Sequence, residues 1–368
     1  KSFLITGFLI ALLFIGVTEI FGQEMPITYP SESIVICTDR SLYTAGEKIN
    51  FSALVVNNLV EEKDYYSRIL YIELIKPDGS RLAGGKYLVD RFESSGYLQI
   101  PEEIITGYYY LKSYTKWMRN GDPQNYHFIR LKIVNPYNAE MNKGDERTEP
   151  APGANAGMAD QITLPPFMPE IRFSSGMQKY APGEDVELQI SNAGMSEPGL
   201  KLCLSVVPVA TRDSIPFSPK RDSIPFNLQF YPETRGISIS GRLAEVGTGN
   251  PVPNTLVNLS VVGAQVVMAI RTDETGHFNF ALPGYTGSRD IFLCGEDLPG
   301  KQTEILIDND FCSRPVVLPS PAFHLSETER SAVLKIAANQ KISSAFYPEE
   351  VIGDTLRKKN ELPFYGVP

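Results

Sequence analysis

The chain has 368 residues, with 34 Lys and Arg against 43 Asp and Glu, and so a net charge of −9 at pH 7. At roughly 100 to 200 residues per domain, this length predicts two to four domains. A mild acidic excess without a basic stripe excludes nucleic acid as a partner. The 18 Tyr and 19 Phe against a single Trp, punctuated by Gly and Pro, favour a mostly β protein. Its 4 cysteines are too few for a disulfide scaffold.

The first 23 residues have the layout of a secretory signal peptide. Lys1 precedes a nearly continuous apolar run over residues 3–17, and Gly22 supplies a small residue at a cleavage point. The alternative is a membrane anchor, which the run disfavours because a spanning helix needs about 20 apolar residues. The sequence therefore predicts a protein exported to the periplasm or the outer-membrane surface, without a transmembrane span after signal removal.

Residues 31–137 contain about seven short runs in which apolar and polar residues alternate, as they do in half-buried strands. The turn at Pro77, Asp78 and Gly79 separates two of them, since Pro presets φ and Gly accepts a positive φ. Seven strands with frequent turns predict an antiparallel sandwich. Its predicted core comprises the apolar members of these runs, namely Ile49, Phe51, Val55, Leu70, Ile72 and Leu111.

Two segments of this sandwich carry a family resemblance. Residues 38–51 (TDRSLYTAGEKINF) resemble the opening of the second-type macroglobulin module in the alpha-2-macroglobulin family, with Ala45 where the family has Pro. Residues 107–120 (GYYYLKSYTKWMRN) resemble a later strand shared by Bacteroidetes members of this group. The resemblance implies a macroglobulin-like β-sandwich in an exported Bacteroidetes protein.

The next hundred residues are interrupted. Residues 138–168 lose all periodicity and predict a flexible linker. Residues 169–211 resemble a second macroglobulin-like module that is partial or interrupted, because only about three strands are visible. We expect these strands to need partners from residues 303–322 or from sequence missing here. Residues 212–235 contain the hexapeptide RDSIPF twice, nine residues apart, and predict an exposed extended loop because each Pro blocks a ladder donor.

The last part of the chain predicts one more sandwich and one helix. Residues 236–308 resemble the carboxypeptidase regulatory-like domain, a small transthyretin-like β-sandwich, which implies no peptidase chemistry. Residues 309–368 form an extended segment and a helix that starts at a capping box of Ser326 and Glu329, and the chain looks truncated. An apolar stripe should run from Val333 through Ala337 toward Ile342. The predicted fold class is all-β: tandem antiparallel β-sandwiches with one short C-terminal helix.

Catalytic patterns are incomplete in this sequence. Residues 294–297 (CGED) differ from the macroglobulin thioester Cys-Gly-Glu-Gln, because Asp297 has no side-chain amide to acylate a thiol. His127 and His277 lie in strand-like runs, and neither a nucleophile elbow nor a metal-ligand spacing accompanies them. Asp308 and Asp310 are typical of a turn rather than a calcium site. We therefore expect no enzyme activity, no metal and no cofactor.

The aromatic run in residues 107–120 suggests a contact patch for a partner. Its members are Tyr108, Tyr110, Tyr114 and Trp117. The alternative is that these rings simply fill the core, which is the commoner role for at least half of them.

Four cysteines allow three pairings, and Cys294 and Cys312 are candidates for a disulfide because they lie 18 residues apart in one module. Cys37 and Cys203 fall in apolar strand runs and are expected to be small buried hydrophobes.

Three Asp-(Ser/Thr)-aliphatic triplets resemble the O-glycosylation acceptor pattern of exported Bacteroidetes proteins. The acceptors would be Ser214, Ser223 and Thr355. An inert tandem duplication of the first two is an equally acceptable interpretation.

These features together predict a non-catalytic cell-envelope binding or scaffold protein. It would use sandwich surfaces and sheet edges, whose unpaired N–H and C=O groups accept a partner strand. The partners would be other envelope proteins, including an outer-membrane transporter. The alternatives are an accessory to TonB-dependent-like outer-membrane transport and a macroglobulin-like protease trap without a thioester.

Overall fold

The structure, a computed structural model, describes residues 31–57, 67–142, 144, 170–177, 179–181, 183–193, 204–211, 215–217, 228–263, 267–282 and 289–346. The predicted signal peptide (1–23), most of the predicted linker, Cys203 and the three candidate glycosylation residues lie outside them. The described residues form antiparallel sheets and a single α-helix, so the predicted all-β class is confirmed. The elements in chain order are β1 (Glu32–Thr38), β2 (Leu42–Thr44), β3 (Lys48–Asn57), β4 (Ile69–Ile75), β5 (Arg81–Leu88), β6 (Glu93–Gln99), β7 (Gly107–Thr115), β8 (His127–Val134), β9 (Glu170–Ser175), β10 (Leu188–Ala193), β11 (Ile215–Phe217), β12 (Ile237–Glu245), β13 (Leu256–Val261), β14 (Val267–Arg271), β15 (His277–Leu282), β16 (Ile291–Gly295), β17 (Thr303–Ile307) and α1 (Glu327–Phe346).

The first sandwich is built from strands of residues 32–134 and one later strand. One sheet has the order β1-β3-β6, and the other has the order β11-β8-β7-β4-β5, with β2 added in parallel to β8. The two sheets enclose a core in which all six predicted residues are buried, each at most 5 % exposed, so that prediction is confirmed. The period-2 alternation identified the buried face of β3 correctly, because the other face of this strand meets solvent. Ser52 and Val56 on that other face are exposed.

The turn at Pro77–Gly79 forms as the sequence predicts. The N–H of Lys76 donates to Ser80 O at 2.9 Å, and Gly79 has φ +85°. A Cβ at Gly79 would lie 2.7 Å from Val316 O, so glycine here also allows a distant chain segment to pass against the turn.

The second sandwich consists of two three-stranded sheets, β15-β12-β17 and β14-β13-β16. Its core lies between them and contains Leu243, Val257, Leu259, Phe278 and Phe280, each at most 3 % exposed. The inward residues of β13 and β15 alternate with polar ones, which is the pattern expected for sheets solvated on one face.

In the chain between β8 and β11, strands β9 and β10 form a two-stranded antiparallel hairpin. Leu188 and Ile190 on β10 are 37 % and 41 % exposed. Residues 303–322 do not supply its missing strands: β17 pairs with β12, and the residues after it cover the first sandwich. Partners from residues 303–322 are therefore a wrong prediction. Partners from missing sequence, the alternative, stay a prediction. Within the loop predicted over residues 212–235, Ile215–Phe217 forms the edge strand β11 beside β8.

The capping box at the start of α1 is confirmed. The N–H of Ser326 donates to Glu329 Oε2 at 2.7 Å, and the N–H of Glu329 donates to Ser326 Oγ at 3.2 Å. Val333 and Ala337 are buried, Val333 against Leu42 and Val134. The stripe is shorter than predicted, because Ile342 is 56 % exposed.

Candidate functional site: a tyrosine face covered by a strap

The outer face of the large sheet of the first sandwich is aromatic. It comprises Tyr71, Tyr110, Tyr114, Tyr126 and Phe128, all at most 3 % exposed, and we call it the tyrosine face. Tyr71 on β4 stands opposite Tyr114 on β7, with ring centroids 5.3 Å apart and nearly parallel. Tyr114 stacks in turn on Tyr126 at 4.6 Å. Such ring pairs add stabilisation beyond their buried area.

A segment from the far end of the chain covers this face. After β17, residues 308–325 run across the first sandwich, and we call them the strap. Cys312, Val316 and Leu318 of the strap are buried against the tyrosine face. Pro321 is buried as well, whereas Val317 is 85 % exposed. The N–H of Leu318 donates to Pro77 O at 2.8 Å, and the phenol of Tyr110 donates to Pro319 O at 2.7 Å. The strap is therefore fixed by backbone hydrogen bonds as well as by apolar burial.

A buried ion pair lies under the strap. Lys112 Nζ is 2.7 Å from Glu73 Oε1, and their side chains are 3 % and 2 % exposed. Tyr114 donates to the same carboxylate at 2.7 Å and accepts from the Cys312 N–H at 2.7 Å. Burial, and next the charge of Glu73, raise the pKa of Tyr114 well above its usual range, so the phenol stays protonated. The polar groups here therefore bond to one another and to the backbone of the strap.

Glu233 joins the two sandwiches. Its Oε2 accepts from the phenol of Tyr71 at 2.8 Å, and its Oε1 accepts from the N–H and the hydroxyl of Ser238 at 2.8 and 2.6 Å. Its carbonyl accepts from the Arg68 N–H at 2.8 Å. Since Ser238 lies on β12 and Tyr71 on β4, one buried carboxylate fixes the first strand of the second sandwich to the first sandwich. Lys116 adds a bond of 2.8 Å to Ser238 Oγ.

The strap is also held by charged groups at its start. Lys86 on β5 forms an ion pair with Asp310, and Arg119 donates to Asp310 O at 2.7 Å. The Arg81 guanidinium lies 4.2 Å from the centre of the Phe311 ring. Asp308 accepts from Ser240 at 2.8 Å, so the acidic residues expected to form a turn serve structural contacts. Within the described ranges, no group of three or more His, Cys, Asp or Glu residues could hold a metal ion.

The predicted contact patch is largely inaccessible. Tyr110 and Tyr114 are 0 % exposed and pack against the strap, and Trp117 is 8 % exposed. Tyr108 is partly exposed and packs edge-on against Phe323 of the strap, with ring centroids 5.3 Å apart. The prediction that these residues form a contact surface for a partner is therefore wrong for three of the four. Its partner is the chain's own strap, which the apolar residues among the prolines of 311–321 could have indicated.

The cysteines are placed differently from the expectation. Cys294 is exposed on β16, whereas Cys312 is buried in the strap, where the Tyr126 hydroxyl donates to its Sγ at 3.4 Å. Both thiols are free, so the candidate disulfide is absent: the strap carries Cys312 onto the first sandwich and away from β16. Cys37 is exposed rather than buried, because its position on β1 faces outward.

The two histidines lie in strands as predicted, His127 in β8 and His277 in β15. Burial lowers the pKa of His127, which favours its neutral form. Ser214, Ser223 and Thr355 lie outside the described residues, so their modification stays a prediction.

An exposed apolar row lies on the second sandwich. On the outer face of the β14-β13-β16 sheet, Val267 and Phe292 stand on either side of Ser260 in one register row. They are 74 % and 62 % exposed. Two large apolar side chains exposed on one sheet face, on the two strands that flank β13, are typical of a contact surface. We call Val267, Ser260 and Phe292 the outer row.

Neither a family model nor a curated protein sequence matches the chain. Among solved structures, it is similar to Salmonella alpha-2-macroglobulin reacted with methylamine, with a TM-score of 0.22 and 11% identity over 75% of this chain and 14% of that one. Escherichia coli alpha-2-macroglobulin activated by porcine elastase gives a TM-score of 0.22 and 12% identity over 79% of this chain and 20% of that one. Dimeric latent PorU from Porphyromonas gingivalis gives a TM-score of 0.22 and 10% identity over 76% of this chain and 34% of that one. This chain thus spans between 14% and 34% of each of these proteins. No helix in the described part of the chain is long and apolar enough to cross a membrane.

Proposed function

We propose that this protein is a non-catalytic binding or scaffold protein of the bacterial cell envelope. The observation that carries the proposal is the junction between the sandwiches. Glu233 and the strap attach the second sandwich to the first through buried contacts, and a fixed spacing between two binding modules is what a scaffold requires. Export and an envelope location are part of the proposal and rest on the signal-like N-terminus.

The use of the polar residues supports a role without catalysis. In the covered face, Glu73, Lys112 and Tyr114 are bonded to one another and to the strap backbone. A general base or nucleophile needs access to a substrate, and these groups have none. The scaffold function therefore draws on surfaces rather than on a pocket.

The proposed partner is another envelope protein, and the outer row is the surface offered to it. Val267 and Phe292 combine large exposed side chains with a rigid sheet beneath them, because β13 is paired on both sides. Side chains held by a rigid element lose little conformational freedom on binding.

The test compares binding to washed envelope membranes of the source bacterium by co-sedimentation. The double variant V267D/F292D should lose at least about tenfold in bound protein, because two charges replace the apolar contact. L334D is the matched control, since Leu334 is equally exposed at 61 % but lies on α1. It should bind as the unmodified protein does. Equal binding of all three proteins would remove the outer row from the proposal, and binding that survives protease treatment of the membranes would show that the partner is not a protein.

A protease trap would give another outcome. After incubation with a broad-specificity protease, a trap retains the protease in one particle, whereas a scaffold is only cleaved. Gel filtration followed by an activity assay of the protein peak separates the two. Retained protease activity in that peak would overturn the scaffold proposal.

A further inference from the structure

The outer row is one of three rows on the same sheet face. Side chains on a strand alternate between the two faces, and residues opposite one another on neighbouring strands share a face. Ala269 on β14 stands opposite Asn258 on β13, and Asn258 stands opposite Cys294 on β16. Ala269 and Cys294 are exposed, and Asn258 is half-buried between them. We call these three residues the middle row.

The third row ends in two opposite charges. Arg271 on β14 stands opposite Leu256 on β13, and Glu296, one residue beyond β16, donates its N–H to Leu256 O at 2.8 Å. Arg271 and Glu296 are both exposed, on opposite sides of Leu256. Arg271 Nη1 donates to Asn254 O at 3.0 Å, and Glu296 Oε2 accepts from the Leu256 N–H at 3.3 Å, so each charged group is held at the end of its strand. We call Arg271, Leu256 and Glu296 the charged row.

The three rows are complementary to their own image under one two-fold axis. Rotation by 180° about an axis along β13, on the sheet face, places β14 of one copy over β16 of the other and keeps each row over itself. Val267 then faces Phe292 of the second copy, and Arg271 faces Glu296. The two Asn258 amides meet on the axis, where each can donate to and accept from the other. Because the axis is two-fold, the apolar contact and the ion pair each occur twice.

A face-to-face pair about the perpendicular axis does not have this match. It would place Val267 over Arg271 and Phe292 over Glu296 of the second copy, so that both charges would lose water without gaining an opposite charge. The axis along β13 also leaves the strands of the two copies running in nearly the same direction, which is the aligned packing common for sheets about 10 Å apart. The charges and the packing therefore favour the axis along β13.

We propose that the outer, middle and charged rows together form the interface of a homodimer, in which a second copy of the chain packs face to face about an axis along β13. The proposal rests on the proposed function, in which the outer row is the contact surface, and names a second copy of the chain as its partner. Three rows of three residues are fewer than the about 20 to 30 residues on each side of a stable interface. The dimer is therefore weak and reversible, with a Kd of about 10 to 1000 μM.

Charge reversal tests the contact between Arg271 and Glu296. R271E and E296R each bring like charges together twice and should raise the dimer Kd at least about tenfold in sedimentation equilibrium. An equimolar mixture of the two variants should dimerise with a Kd within about threefold of the unmodified protein, because one chain then carries only glutamates at these positions and the other only arginines. A misfolded variant could not restore the dimer in this way. E304R is the matched control, since Glu304 is exposed on β17 in the other sheet, and it should leave the Kd unchanged.

Three results would overturn the proposal. They are equal dimerisation of R271E and the unmodified protein, a mixture of the two variants that stays monomeric, and an unmodified protein that is monomeric at about 1 mM. The co-sedimentation assay separates these results from a failure of the proposed function. If V267D/F292D still loses membrane binding, the outer row binds another protein and only the second copy as partner is wrong. If V267D/F292D changes neither measurement, the outer row is not a contact surface and the proposed function loses it too.

Thiol cross-linking tests the axis. The axis along β13 brings Cys294 of one copy over Ala269 of the other, whereas the perpendicular axis brings the two Cys294 together. In a C37S/C203S background, a chain that keeps Cys294 is mixed with an A269C/C294S chain and treated with a bismaleimide that spans about the 10 Å between packed sheets. We expect at least about fivefold more cross-linked dimer from the mixture than from the Cys294 chain alone, since this axis offsets the two Cys294 by two strand spacings, about 10 Å. A yield from the Cys294 chain alone that equals or exceeds that of the mixture would overturn the proposal.

Discussion

The phenol of Tyr71 on β4 donates a 2.8 Å hydrogen bond to Glu233 Oε2, although 162 positions separate the two residues in the chain. Both side chains are buried, and the same carboxylate holds the first strand of the second sandwich through Ser238. The bond connects the two sandwiches at a place where water cannot replace a lost partner.

Removing this bond should destabilise the junction. Y71F leaves the carboxylate of Glu233 with one donor fewer in a buried site, which costs about 1 to 3 kcal/mol. Chemical denaturation measures the change in the free energy of unfolding. Y231F is the matched control, since Tyr231 is 71 % exposed, and it should change that free energy by less than about 0.5 kcal/mol. Equal effects of the two variants would contradict the assigned role of Tyr71.

The Glu73–Lys112 pair gives a second prediction. K112M leaves the buried carboxylate of Glu73 with the Arg81 guanidinium, 3.9 Å away, in place of the Lys112 ammonium at 2.7 Å, and should cost about 3 to 5 kcal/mol. The double variant E73L/K112M removes both charges and should recover most of that loss. The control is K301M, because Lys301 pairs with Glu245 at 2.6 Å with 55 % of the lysine side chain exposed, and this variant should destabilise the protein much less than K112M does. A double variant as unstable as K112M would show that the charges were not the cause.

The core of the first sandwich should respond to truncation. Phe51 is 5 % exposed and packs edge-on against Tyr87, with ring centroids 4.7 Å apart. F51A should cost about 3 to 5 kcal/mol in the free energy of unfolding, through lost burial and the cavity left behind. V56A on the solvent face of the same strand is the control, and it should cost much less because Val56 is 41 % exposed. A change within experimental error for F51A would mean that β3 presents the opposite face to the core.

The buried carboxyl of Glu32 should make the free energy of unfolding depend on pH. Burial raises the pKa of its carboxyl, against the lowering effect of hydrogen bonds from Thr115 and Ser67. A raised pKa in the folded state means that folding favours the protonated form, so this group lowers stability as the pH rises from about 4.5 toward neutrality. E32Q is neutral throughout and should gain stability relative to the unmodified protein over that interval. Denaturation at pH 4.5 and pH 7 measures the difference, and a constant difference would show that Glu32 does not titrate in this interval.

Local signals in the sequence predicted much of the fold. The alternation of Ile49, Phe51 and Val55, the turn at Gly79 and the capping box at Ser326 all appear in the structure, because each depends on residues within a few positions of one another. The stripe of α1 was predicted too long, since periodicity shows which residues share a face but not where the covering surface ends.

Strands, turns, the all-β class and the faces of β3 could be read from the residues alone, because these follow from side-chain period and local backbone preference. The roles of the tyrosines and of Cys312 depend instead on long-range contacts. Tyr114 and Tyr110 are covered by residues 198 and 209 positions away in the chain. The residue pattern of β7 does not distinguish a ring that binds another protein from a ring that a later segment of the same chain covers. Burial of both sheet faces is a property of the assembled chain, in which Cys312, Val316 and Leu318 of the strap remove the tyrosine face from water.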